Sequence, residues 1–332
     1  MNLTGHPLTA VVTPVYNGAK FLNAAIEAVQ AQTYRPLVHC ILDNASTDAT
    51  AEIIAQAQAA GGPVPIITAR NPELLAQVAN FNAVLKLIPP EARYFKLLCA
   101  DDSMTPNAVE AMVKAALSAP GVTVVGAVER VNGAARPHRF PAETSIFEGP
   151  NAVARVFADD ARIPGPHVLF RTDCIRPHED FFDASFIGFD TEAYLRILSR
   201  GGKFAFVHEE VLDSLHHDEA LTATDRKFQT MLYEKLVLVE RYGPYVFSNS
   251  EYAHMRQYRL RVLYRRLLFW RLTGHWELFR RDMGRLRERG LAPSFWDYAD
   301  SVLSWPEHLY EKRVSGMREP RPWPADAVRA AY

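Results

Sequence analysis

The sequence predicts an α/β fold over residues 1–222, a sheet of βαβ units flanked by helices, with a mainly helical region over residues 223–332. Three observations predict it. Short apolar, β-branched runs alternate with segments of helical periodicity through roughly the first 125 residues. Several of those runs end in polar residues suited to a ligand. From about Phe228 onward the apolar period is helical.

Thr9 to Val15 reads as the first strand, with turn chemistry at Tyr16-Asn17-Gly18. Phe21, Leu22, Ala25, Ile26 and Val29 then recur at helical spacing. Pro36 to Leu42 is the second buried strand and ends in the polar cluster Asp43 to Asp48, where Ser46 and Asp48 are candidate caps for the helix carrying Ile53, Ile54 and Ala57. After the Gly61-Gly62-Pro63 break, Val64 to Thr68 is the third strand and Leu75 to Ile88 a helix. The fourth apolar run, Leu97 to Ala100, stops at Asp101-Asp102, and Pro106 suits the first position of the next helix. Thr123 to Val131 gives a further strand.

With 37 basic and 38 acidic residues the formal charge is −1, so no global basic field argues for nucleic acid. Cys40, Cys99 and Cys174 are odd in number and far apart, which gives neither a disulfide framework nor a zinc knuckle and points to a reducing cytoplasm. No secretory leader and no apolar run of bilayer length, ~20 residues, is expected. Neither GxGxxG nor GxxxxGK[ST] occurs, which disfavours a dinucleotide dehydrogenase and a P-loop NTPase.

What stands out instead is where polar residues collect. The strand ends carry Pro14, Tyr16 and Asn17; Asp43 and Asn44; Arg70 and Asn71; Asp101 and Asp102. In open α/β sheets ligands sit outside the carboxyl ends of the strands, so these four ends predict one site. Adjacent carboxylates repel unless a cation lies between them, which suggests a divalent ion; helix capping is the alternative for either acid.

Val12-Thr13-Pro14-Val15-Tyr16-Asn17-Gly18, Ile41 to Asp48, Lys96 to Asp102 with Pro106, and Phe182 to Arg196 together resemble the glycosyltransferase family 2 enzymes. The resemblance implies the GT-A (Rossmann-like) fold, a mixed sheet, and transfer of a sugar from a nucleotide-diphosphate donor, by default a UDP-sugar. It implies that Pro14 and Tyr16 pack about the base, that Asp43 accepts a hydrogen bond from it, and that Arg70 adds a nucleotide contact. Asp101 is placed near the ribose and Asp102 on Mn²⁺ or Mg²⁺, although which acid does which stays open. Cys99 departs from the family's first acidic position. Asp190 is implied as the base that deprotonates the acceptor hydroxyl, with Phe189 where the family's usual Glu-Asp pair has Glu, and with Glu192 as second choice. His217 is implied at the diphosphate or metal, ahead of its neighbour His216. His167 reads as a loop residue with a local hydrogen bond.

The run from Tyr252 to Gly290 holds eleven Arg against Glu277, Asp282 and Glu288. Leu260, Leu263, Tyr264, Leu267, Leu268 and Trp270 form its apolar stripe. That stripe suits docking on the catalytic domain, the preferred reading, or peripheral contact with an anionic membrane on its inner face. The expected activity is metal-dependent, inverting transfer to a glycan or lipid-linked acceptor, as in polysaccharide biosynthesis. A nucleotidyltransferase and a GT-A-like protein that binds a nucleotide sugar or glycan without transferring it are the alternatives.

Overall fold

The structure, a computed structural model, describes residues 5–165, 167–215 and 231–306. It divides into two compact units. The described parts of Met1–Gly149 and Arg162–His217 form one, and those of Pro150–Ala161 and Asp218–Tyr332 the other. The sequence boundary near residue 222 therefore leaves out one inserted piece, residues 150–161, which groups with the second unit.

In the first unit β1 (Thr9–Val15), β2 (Leu37–Asp43), β3 (Ile66–Arg70) and β4 (Tyr94–Leu97) pair in parallel in the order β3-β2-β1-β4. Between them run α1 (Leu22–Gln30), α2 (Thr50–Ala60) and α3 (Gln77–Val84). β1, β2 and β4 are buried along their whole length, as strands covered on both faces should be. Beyond β4 come β5 (Ser103–Met104), α4 (Ala108–Leu117), β6 (Val122–Val131), β7 (Ala134–Ala135) and β8 (Ile146–Glu148). β9 (Leu169–Arg171) and β10 (Lys203–Ser214) complete the ten-stranded sheet. β9 runs antiparallel between β4 and β6, so the sheet is mixed.

Two local departures from the sequence reading bear on the site. The run expected to continue as strand to Ala100 leaves the sheet after Leu97. The last bond on that side is Leu98 N–H to Val12 C=O, and the next donor would be Pro14, which has no N–H. Residues 98–102 are thus released as a loop at the strand's carboxyl end. Pro106 also lies outside its helix, since α4 begins at Ala108 with Asn107 as its cap position.

The second unit contains α5 (Gly149–Phe157), apart from its first residue, and α7 (Met231–Val246), α8 (Asn249–Leu272), α9 (Trp276–Glu288) and α10 (Phe295–Leu303); α6 (Phe189–Ser199) belongs to the first. The single long helical run of the sequence is split at Gly274, whose φ of 79° suits glycine. The stripe Leu260, Leu263, Tyr264, Leu267 and Trp270 packs with Leu236, Leu278, Met283 and Leu286 in the unit's own core. Much of the arginine excess is consumed internally. Arg256 and Arg289 meet Glu240, Arg261 meets Asp300, and Arg281 and Arg285 meet the buried Asp282.

A further pairing is centred on Asp159, bound by Arg259 at 2.8 Å and Lys235 at 3.1 Å. Burial alone would raise its carboxyl, but the two cations hold it well below the usual range. Asp159→Asn, which tolerates the local φ of 57°, leaves the buried Arg259 charge unpaired and should destabilise the helical unit by about 3–5 kcal/mol in denaturant melts. A depressed carboxyl stabilises above its unfolded pKa, near 4. The contribution is therefore complete at neutral pH and declines as pH falls below that value.

Candidate active site

The four parallel strands place their carboxyl ends on one edge, and register aligns Val15, Asp43 and Arg70 across β1, β2 and β3. Side chains then lock the loops that follow. Asn17 N–H donates to Ser46 Oγ, Gly18 N–H to Thr50 Oγ1 and Ala19 N–H to Asp48 Oδ2. Asp48 Oδ1 also accepts from Thr50 N–H at the start of α2, so of the two candidate caps it is Asp48 that meets the helix end.

Pro14 is buried within β1, and Tyr16, just past it, is 47% exposed. Asp43 is buried; its Oδ1 accepts from Ser46 N–H at 2.9 Å, and its Oδ2 lies 3.2 Å from Arg70 Nη1. That oxygen is sealed from water and has no aligned hydrogen-bond donor. Arg70 is half exposed and also donates to Ser46 C=O.

The released loop lies beside the β1 turn: a Cβ built on Gly18 would sit 3.5 Å from Ala100 Cβ. Within that loop the ligand atoms of Cys99, Asp101 and Asp102 all fall within 4.8 Å of one another. Burial first, and then the charge of Asp101, push the Asp102 carboxyl up to about 8. Burial and the same two carboxylates hold the Cys99 thiol well above its ordinary value, so it stays protonated. Two crowded carboxylates, of which Asp102 resists ionisation in this way, are a donor set that a divalent cation would relieve, and oxygen donors suit Mg²⁺ or Mn²⁺.

Asp190 comes to this loop from another element. It opens α6, bonds Thr191 N–H, and reaches Cys99 electrostatically. It also crowds Gly165, where a Cβ would lie 2.3 Å from Asp190 Oδ2. Phe189, in place of the family's Glu, is core: it packs on Phe81 and Phe182. Glu192 is 1% exposed and bonds Arg196, which also reaches Phe181 C=O, so it braces the loop before α6. His216 and His217 lie outside the described residues.

His167 is where sequence reasoning missed most. It lies in a turn, as expected, but is fully buried and has long-range partners, with Nε2 2.5 Å from Ser214 Oγ and 3.4 Å from Asp102 Oδ2. No local signal could have paired residues 102, 167 and 214. Lys96, also fully buried, donates to Leu97 C=O; burial lowers its amine to about 8 against the opposing pull of Asp102.

The family model of glycosyl transferase family 2 matches residues 10–177, just over half of the chain. The chain belongs to glycosyltransferase family 2. Curated relatives of this chain include glycosyltransferase GlyG of Streptococcus pneumoniae, 25% identical over 119 residues, covering 36% of this chain and 38% of GlyG. An uncharacterized glycosyltransferase of Rickettsia bellii is 30% identical over 107 residues, covering 32% and 15% respectively. The family 2 chain thus spans well under half the length of the curated relatives it matches. Among solved structures, S. aureus TarS 1-349 in complex with UDP-GlcNAc superposes with a TM-score of 0.63 at 14% identity, covering 94% of this chain and 88% of that one. The mannosyltransferase PcManGT from Pyrobaculum calidifontis, in complex with GDP-Man and Mn²⁺, gives 0.55 at 15%, covering 95% and 84%. These likenesses show that the family 2 fold here is GT-A.

Proposed function

We propose that this chain transfers a sugar from a nucleotide-diphosphate donor to an acceptor hydroxyl with inversion at the anomeric carbon. The observation that carries the reading is the approach of Asp190, on a separate helix, to the loop of Asp101 and Asp102. A donor diphosphate held by the acidic pair and a base facing it from another element are what a single displacement requires. Asp190 is favoured over Glu192, whose carboxylate is buried against Arg196.

Within this reading the buried, unaligned Oδ2 of Asp43 accepts the N–H of a base such as uracil, with Tyr16 offering an aromatic face and Arg70 closing beside it. Asp102, with Asp101 beside it at the ribose, would hold Mn²⁺ or Mg²⁺. When bound, such an ion neutralises the charge that develops on the departing diphosphate. Asp190 takes the proton from the acceptor oxygen as the new bond forms.

A thermal-shift panel of UDP-, GDP- and dTDP-sugars with and without Mn²⁺ tests the donor. One donor class should raise the melting temperature with a larger rise in Mn²⁺, and turnover should release nucleoside diphosphate. Release of pyrophosphate would instead indicate nucleotidyl transfer, and donor binding without turnover a GT-A-like nucleotide-sugar-binding protein.

A lipid-linked acceptor is supported by the second unit. Among the described residues no helix is long and apolar enough to cross a membrane. α10, however, turns Phe295, Trp296 and Leu303 outward at 76–79% exposure, while Asp300 and Ser301 face α8 through Arg261 and Arg265. Such a face suits peripheral contact with an anionic bilayer. The protein should co-sediment with anionic vesicles in a salt-sensitive way and lose this with Trp296→Ser; equal recovery in the supernatant with and without vesicles removes the idea.

A further inference from the structure

His167 is held just ahead of a strand that is itself fixed in the sheet. β9 pairs Leu169 with Lys96 of β4 and with Val125 of β6. His167 lies in the turn two residues before this strand begins. It stands where β4 gives way to the acidic loop.

Proton counting fixes what the imidazole does there. Ser214 Oγ has one hydrogen and donates it to Glu129 Oε1 at 2.7 Å, and Glu129 Oε2 accepts from Arg162 at 2.8 Å. The 2.5 Å contact from His167 Nε2 to Ser214 Oγ must then be an Nε2–H donation. The Nε2 atom also lies 3.4 Å from Asp102 Oδ2, so the edge of the ring that carries this hydrogen borders that oxygen, while Leu215 N–H bonds Asp102 Oδ1 at 3.2 Å. Each oxygen of Asp102 therefore has a protein group beside it: the Leu215 N–H at Oδ1 and the Nε2 edge of His167 at Oδ2. Those groups come from segments far apart in sequence, and the imidazole is itself held by buried groups.

We propose that His167 is a positioning residue for Asp102: anchored through Ser214 and Glu129, the Nε2 edge of its ring, 3.4 Å from Oδ2, fixes the carboxylate in the orientation that presents it to a divalent cation. This rests on the reading of Asp102 as a metal-holding residue. Without the imidazole the carboxylate is free to turn away from Asp101, which repels it, and the cation loses a preset donor. Groups that orient a ligand side chain from behind typically change metal affinity ~10–100-fold when removed.

The test is Mn²⁺ binding to the full chain with UDP present, measured by calorimetry or by the paramagnetic resonance of free Mn²⁺, which needs no turnover. His167→Ala should weaken binding about 10-fold, at the lower end of that range, and His167→Gln, which restores an N–H, should recover most of the loss. In assays, half-saturating Mn²⁺ should rise while kcat at saturating Mn²⁺ stays within a few-fold. Parent-like Mn²⁺ binding by His167→Ala, or equal weakening by Ala and Gln, overturns the inference. Should His167→Ala fail to fold, Ser214→Ala removes the hydroxyl that anchors the ring; it should weaken Mn²⁺ binding in the same direction, and no change is again contrary. Asp102→Asn separates the two levels. If it binds Mn²⁺ as the parent does, the metal reading falls and the inference with it; if it loses the ion while His167→Ala does not, only the inference falls.

Discussion

Asp190→Asn should lower the proposed sugar-transfer turnover of this family 2 chain by about 10²–10⁴-fold, the usual worth of a positioned base, with donor affinity and melting temperature nearly unchanged. The fold is spared because an Asn oxygen can still accept the Thr191 N–H that Asp190 Oδ1 takes at 2.6 Å. The lost charge at the start of α6 costs at most about 1 kcal/mol. Gly165→Ala supplies a second, geometric arm. Its new Cβ would fall 2.3 Å from Asp190 Oδ2, so the carboxylate must move while its chemistry stays intact. Kcat should fall in both variants and the KM for donor in neither. Full activity in Asp190→Asn would remove the residue from the role of base, and Glu192→Gln would then be the variant to compare. A fall in Gly165→Ala alone would point to the loop rather than to the carboxylate.

The parts of the protein legible in its sequence are those governed by local pattern. β1 and β2 appear within one residue of their expected bounds because fully buried strands read as continuous apolar runs, and the half-buried β3 within two. The meeting of Gly18 with Ala100, and of Asp43 with Arg70, follows from parallel order alone. What pattern could not show is what depends on pairing at a distance. β4 looked longer than it is because its end is set by a proline in a different strand, Pro14. His167 looked like a lone loop histidine because its partners are 65 residues before it and 47 after it. The apolar stripe of α8 was expected on the catalytic domain, yet it closes a core with α7 and α9, elements whose own periodicity says nothing of which face meets which. Phe189 is explained only by its ring partners, Phe81 and Phe182.

Asp102→Asn should abolish metal-dependent donor binding and reduce transfer by at least about 10³-fold, the scale of removing a leading electrostatic contribution to the transition state, yet leave the metal-free protein as stable as the parent or more so. The two halves of this expectation have one cause. Burial and the neighbouring charge of Asp101 resist ionisation of Asp102, raising its carboxyl to about 8. A carboxyl raised in the folded state binds its proton more tightly there than in the unfolded chain. Stability from this group is therefore fully present below the unfolded value, near 4, and is lost as pH rises toward 8. Asn has no proton to lose, so the melting temperature of the variant should overtake that of the metal-free parent as pH climbs through that window. With Mn²⁺ and the donor nucleotide the order should invert, because only the parent can exchange the repulsion for coordination and gain stability from the bound ligands. A variant that melts well below the metal-free parent at pH 8 would show that Asp102 serves the fold, through Leu215 and His167, more than the cation.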